Sequence, residues 1–447
     1  MGGSIVTFYS YKGGVGRTFL LANVAVLLSK WGYRVLCVDW DLEAPGLHQY
    51  FQLDRDRSGL LDMVLSCAEG PPIHWNDLCQ HVGIPGAEST ALNVITAGRL
   101  DDGYVLRVQA LDWARLYSEC GFGRLLEHWA TDWRDAFDFV LLDSPSGLRE
   151  GSAICTAQLA DFLVLPLVPN QQSVEGTMHA VQRAMNERHR LHADKQRPLV
   201  LPVLSRVSMF DERTKSQQWL DVMSTELAPF YEAWAPKDVS PRDLVPLFLV
   251  PFSPYWSFGE NLPVLEESAS DPRNVAHSIT TIASVIARRF VGVGELLSGR
   301  HQYVGATPRR AARYQIFISY DREDDERATQ IAEELERRGV SVWKDTVDLN
   351  PGEGLLAKIR EAVDRSHGLV WLAPRLARPE TFQYLELSLF LAKRAWSPRR
   401  ILMVVTLESS RIAAIPRYVN DFARIDGEHL APATVAERIA AALPEEA

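Results

Sequence analysis

The chain has 447 residues, 47% hydrophobic and 23% charged, an ordinary globular composition with length for two or three domains. A net charge of -10 argues against DNA as a partner for the surface as a whole. The five cysteines, Cys37, Cys67, Cys79, Cys120 and Cys155, include no C-x-x-C pair, which argues against a disulfide framework or a zinc ribbon. The first residues run straight into a strand pattern, and no stretch reaches the ~18 apolar residues of a membrane span. A cytoplasmic protein without membrane contact is expected.

The run IVTFYSY predicts a strand and FLLANVAVLLSKWG a helix, with YSYKGGVGRT joining them. Apolar runs of strand length return at RVLCVD, FVLLD, FLVLPLV, LVLPVL and FLVPF, separated by helix-like segments. That order predicts an α/β fold with a mostly parallel, doubly wound sheet covered on both faces. Residues 49–135 lack the rhythm and read as a helical insertion with one short strand at LNVITAG. Trp113, Trp129 and Trp133 there have the spacing of a helix core. After the helix pattern HSITTIASVIARRFVGVGELL, the Gly-, Pro- and Arg-containing stretch 298–313 reads as a linker. A second α/β rhythm begins at YQIFISY and predicts a smaller domain with its own parallel sheet. The expected division is 1–297, linker 298–313, and 314–447.

A strand, a glycine-rich turn and a helix gather backbone N–H groups and a positive helix end around an anion. Gly13, Gly14 and Gly16 allow the turn, with Val15 between them, and Thr18 at the helix start can ligate Mg²⁺ through its hydroxyl. The strict G-x-x-x-x-G-K-[ST] pattern fails at Tyr11 and at Arg17. The form KGGVGRT instead resembles the deviant Walker A loop of ParA/MinD-like ATPases, in the variant with arginine in place of lysine. VLCVDWDLEAPG, FDFVLLDSPSG, LADFLVLPLVPNQQSVEG and VPFSPYWSFGENLPV resemble later motifs of that family, in order.

The resemblance implies ATP and Mg²⁺ as ligands and a face-to-face homodimer or higher oligomer. It implies that Lys12 reaches the partner's nucleotide and that Arg17 grips the phosphates. Asp41 would position the attacking water, and Asp143, with Thr18 and Asp39, would serve Mg²⁺. Arginine keeps the charge but is planar and bulkier than lysine, so slow or altered hydrolysis is expected. Preference for ATP over GTP rests on the resemblance alone.

The segment YQIFISYDREDDERATQIAEELERRGVSVWKD, followed by DLNPGEGLLAKIREAVDRSHGLVWLAP and ETFQYLEL, resembles a TIR domain. Glu386 falls on that family's glutamate, which acts in cleavage of the nicotinamide–ribose bond of NAD⁺. Phe382 and Glu380 stand where the family pattern has tryptophan and serine. Ser319, Tyr320, Trp343 and Asp345 are candidates to frame the dinucleotide, since an aromatic face suits a flat ring. The alternative is a TIR domain that binds only other proteins, such as defence or signalling partners, with Glu386 on a solvated helix face.

Overall fold

The computed structural model describes residues 2–70, 73–84, 92–191, 196–207, 213–308, 316–338, 340, 342–344, 359–360, 363, 366–378, 381–396, 400–419 and 422–443. The chain forms two compact units, Met1–Arg310 and Ala311–Ala447.

In the first unit the strands are β1 (Ser4–Phe8), β2 (Val35–Asp39), β3 (Gln80–Val82), β4 (Leu92–Ile95), β5 (Phe139–Asp143), β6 (Phe162–Leu167), β7 (Leu199–Val207) and β8 (Leu249–Pro251). They form one sheet in the order β3-β4-β2-β5-β1-β6-β7-β8. Every pairing is parallel except that of β3 with β4. The principal helices are α1 (Arg17–Lys30), α2 (Leu60–Glu69), α3 (Phe122–Ala136), α4 (Gln171–Leu191) and α5 (Val275–Ala287).

Alternation along each strand divides the core. Val6, Phe8, Cys37 and Leu141 join one apolar cluster with α1, α4 and α5. Ile5, Leu36, Val38 and Leu142 join the other with α2 and α3. With both faces covered, the strands read as unbroken apolar runs. Helix α1 is buried from Leu20 to Ser29, which explains why FLLANVAVLLS lacks a polar stripe.

Two expectations are corrected. Residues 49–135 are not a mere insertion: β4 pairs in parallel with β2, β3 extends the sheet antiparallel, and α2 and α3 cover its second face. Without them Leu36, Val38 and Leu142 would face water. Trp129 and Trp133 are buried in that layer as expected, and Trp113 packs against its edge. The linker expected from 298 also begins too early. Residues Arg300–Gly305 form a helix, α6, with Tyr303 1% exposed. Arg300 Nε donates to Thr281 Oγ1 at 2.6 Å, and the Arg288 guanidinium stands 4.1 Å from the Tyr303 ring centroid. One tyrosine anchors this helix, too little to create a visible period. All five cysteines are free thiols.

The second unit has strands β9 (Ile316–Ser319), β10 (Val342–Lys344), β11 (Gly368–Leu372), β12 (Ile401–Thr406) and β13 (Ala423–Asp426), all parallel, in the order β10-β9-β11-β12-β13. Helices α7 (Asp325–Arg337) and α9 (Pro432–Ala441) pack on the face of Ile316, Ile318, Val370 and Leu372. Helix α8 (Phe382–Trp396) packs on the face of Phe317, Leu369 and Trp371. Most of the helix expected at LLAKIREAVDRS lies outside the described residues. Among the described residues, no helix is long and apolar enough to cross a membrane.

Trp133, fully buried beneath the second face, tests that layer. Trp133→Ala should cost about 3–5 kcal/mol in denaturant unfolding of the full chain.

Candidate functional site

The loop from Ser10 to Gly16 leaves the carboxyl end of β1 and opens α1. Gly14 and Gly16 have φ of 73° and 87°, left-handed values that a side chain would strain. The loop borders a cavity of about 480 Å³, lined also by Arg17, Thr18, Ser205, Arg206, Phe252 and Trp256. One end is thus a helix N-terminus suited to phosphate, and the other an aromatic wall. The segment VPFSPYWSFGE supplies that wall.

At the floor, β2 and β5 lie side by side with Asp39 in register with Asp143, both fully buried. Two adjacent carboxylates there must be compensated. Arg17, 8% exposed, does this for Asp143 and also pairs Asp41: its Nε donates to Asp143 Oδ1 and an Nη to Asp41 Oδ2, both at 2.6 Å. Burial alone would depress the guanidinium, but Asp143 and Asp41 outweigh it and hold Arg17 above its ordinary value. Burial pushes Asp41 upward, and Arg17 beside it pulls it part of the way back. Thr18 donates its hydroxyl to Asp143 Oδ2 at 2.6 Å.

Asp39, expected to serve Mg²⁺ with Thr18 and Asp143, also has a structural role. Its Oδ2 accepts the backbone N–H groups of Gly46 and Leu47, each at 3.1 Å, and so anchors the turn after DWDLEAPG. Burial, then the neighbouring Asp143, pushes it well above the ordinary carboxylate range despite those two bonds. Thr18 lines the cavity and hydrogen-bonds the fully buried Asp143, an oxygen pair that fits a Mg²⁺ taking its remaining ligands from phosphate and water. Among the described residues, no group of three or more His, Cys, Asp or Glu side chains is arranged to hold a metal by itself.

Lys12 lies within its own chain's reach: Nζ donates to Asn170 Oδ1 at 3.2 Å, just before α4. Its neighbour Tyr11 lies against Gly176 of α4, where an added Cβ would stand 2.1 Å from the ring. A glycine inside a helix is costly, and this close approach accounts for it. Gly176 escaped the sequence reading, although a lone glycine within a helical pattern was the available signal. The hydrogen bonds from Ser205 and Arg206 to the loop were also unforeseen, because they join residues far apart in the chain.

In the second unit Ser319, at the end of β9, donates its hydroxyl to Glu386 Oε2 of α8 at 2.6 Å. Both are buried, Glu386 to 1% exposure, so Glu386 is not on a solvated helix face. Trp343, expected among the residues framing a dinucleotide, is largely buried, its ring packed edge-on against Phe317 with centroids 4.7 Å apart. The Tyr320 hydroxyl donates to Asp325 Oδ1 at 2.8 Å, and Lys344 Nζ donates to the same oxygen at 2.9 Å. Asp345 and the serine-position residue Glu380 lie outside the described residues.

Asp39 provides a test of the floor. Asp39→Ala should cost about 2 kcal/mol by stranding two amides, while Asp39→Asn keeps an acceptor and stays folded. The folded wild type holds a proton that the unfolded chain releases above about pH 4, so its stability falls as pH rises. The stability of Asp39→Asn relative to wild type should therefore grow as pH rises above about 4 in thermal melts.

Residues 6–335 match the CobQ/CobB/MinD/ParA nucleotide binding domain, and residues 316–440 match the TIR domain. The two matches overlap, whereas the compact units divide the chain after Arg310, ahead of β9. Over 170 residues, 38% of this chain, the sequence is 28% identical to an uncharacterized ATP-binding protein of Methanocaldococcus jannaschii, of which the match spans 55%. Over 186 residues, 41% of this chain, it is 26% identical to the septum site-determining protein MinD of Helicobacter pylori, of which the match spans 60%. The cell division ATPase MinD of Pyrococcus furiosus aligns at TM-score 0.46 and 22% identity, over 65% of this chain and 100% of that one. By the match over residues 6–335, well beyond half its length, the chain belongs to the CobQ/CobB/MinD/ParA nucleotide-binding domain family and carries a TIR domain after it.

Proposed function

We propose that the first unit binds Mg·ATP, pairs with a second copy, and thereby gates cleavage of NAD⁺ by the TIR unit, in antiphage defence or stress signalling. One observation carries this reading. A single chain joins a phosphate-type cavity, lined by Arg17, Thr18 and Asp41 with Asp143 buried behind Arg17 and Thr18, to a unit whose buried Glu386 is held by Ser319. ATP is favoured by the Methanocaldococcus jannaschii relative, which is described as ATP-binding.

Bound Mg²⁺ supplies charge neutralisation at the phosphate oxygens. To grip phosphate, Arg17 has to give up Asp41 and Asp143, and only then is Asp41 released to orient a water. That exchange slows turnover and prolongs the bound state. Lysine is a point charge that cannot span both carboxylates as the planar fork does. Arg17→Lys should therefore raise ATP turnover several-fold in a phosphate-release assay, and unchanged turnover would count against the clamp. Lys12, resting on Asn170, would leave it to reach the partner's nucleotide.

In the second unit, the bond between ribose C1′ and the nicotinamide nitrogen breaks and its electron pair leaves with neutral nicotinamide. Glu386 stabilises the oxocarbenium character at C1′. Water adds its oxygen to C1′ and releases a proton. The test is NAD⁺ consumption by purified protein with and without Mg·ATP, for wild type, Glu386→Gln and Lys12→Ala. Wild type should consume NAD⁺ only with Mg·ATP. Glu386→Gln, which still accepts the Ser319 hydroxyl, should lose at least about 100-fold, and Lys12→Ala should lose the response to ATP.

A second reading is favoured by Phe382 and Leu385, which are 49% and 37% exposed one turn apart on α8. Such an apolar patch suits a protein partner, with the TIR unit acting as a nucleotide-controlled scaffold. Phe382→Asp would then abolish activity in cells, and Glu386→Gln would leave it unchanged.

A further inference from the structure

Where β7 meets β8, Ser205 pairs with Val250 and Val207 with Pro251, so Arg206 is the extra residue of a bulge. Its φ is 58°, a left-handed value that a side chain disfavours. Strain of this kind persists only where surrounding contacts impose it, and it gathers at functional sites. Arg206 Nη1 donates to the Gly14 carbonyl at 2.8 Å, and Ser205 Oγ donates to the Val15 carbonyl at 2.6 Å. A loop that turns its N–H groups towards an anion turns carbonyls the other way, and those carbonyls need donors. The same guanidinium stands 5.2 Å from the Phe252 ring centroid, and the Phe252 N–H donates to the Val207 carbonyl at 3.1 Å. Gly14, Ser205, Arg206 and Phe252 line one cavity.

We infer that Arg206 is a positioning residue for nucleotide phosphate. With Ser205 it fixes the Gly14–Val15 carbonyls, holds the loop in its anion-ready shape before ligand arrives, and ties that loop to the aromatic end of the cavity. The inference rests on the reading of this cavity as a nucleotide site. Arg206 need not touch the nucleotide, because it acts through the loop.

The test compares full-length wild type, Arg206→Gly and Arg206→Lys in three measurements. These are Mg·ATP affinity by calorimetry, thermal midpoint, and amide hydrogen exchange across residues 12–18 without nucleotide. Glycine accepts the left-handed backbone, so Arg206→Gly should keep the thermal midpoint. It should nevertheless bind Mg·ATP about tenfold more weakly, as expected for losing a charged hydrogen bond. Exchange in the loop should rise in parallel. Lysine can still reach a carbonyl but cannot stack as a planar fork, so Arg206→Lys should recover part of both losses. Unchanged affinity and exchange in Arg206→Gly would overturn the inference, as would affinity lost only in step with the thermal midpoint in both variants. Wild type that binds no nucleotide would overturn the nucleotide reading and this inference with it.

Discussion

Two buried aspartates in register on adjacent parallel strands impose the central constraint on the first unit. Asp39 and Asp143 close β2 and β5, fully buried and side by side. They cannot both be charged there without compensation, and each finds a different solution. Asp143 is paired by Arg17 and accepts the Thr18 hydroxyl. Asp39 is driven towards its neutral form and tied to the turn at Gly46 and Leu47. The start of α1, the loop before it and the second aspartate-bearing turn are all held by this arrangement.

The same constraint gives arginine at position 17 a physical sense. A guanidinium spans two carboxylates, Asp41 and Asp143, with separate nitrogens. An ammonium would meet one of them well. The start of α1 is therefore tied by one side chain to both the end of β5 and the turn after β2. Around it, Tyr11 rests on Gly176 and Lys12 on Asn170. The phosphate loop is thus braced from α4 on one side and from the β7 bulge on the other.

The second unit uses a buried carboxylate in another way. Glu386 sits beneath the end of β9 with the Ser319 hydroxyl on one oxygen. Burying a carboxylate is expensive, and a surface helix residue would not need such a partner. On the other face of the sheet, Tyr320 and Lys344 both donate to Asp325, while Trp343 and Phe317 pack in the core of the α8 side.

Much of this was legible in the sequence. Unbroken apolar strands announced a sheet covered on both faces, and KGGVGRT between a strand and a helix announced the phosphate loop. ETFQYLEL drew attention to Glu386. Periodicity and local turn chemistry survive in one dimension, because they depend on neighbours in the chain. What it could not reveal were relations across the fold. The role of residues 49–135 as half the sheet's cover, the anchoring of Tyr303, the burial of Trp343 and the task of Asp39 each depend on partners distant in sequence. So do the donations from Ser205 and Arg206 to Gly14 and Val15, which span about 190 residues. Residue types and local spacing thus determined which chemistry the chain could carry. Strand register and packing alone decided which charges meet, which are silenced by burial and which face a cavity.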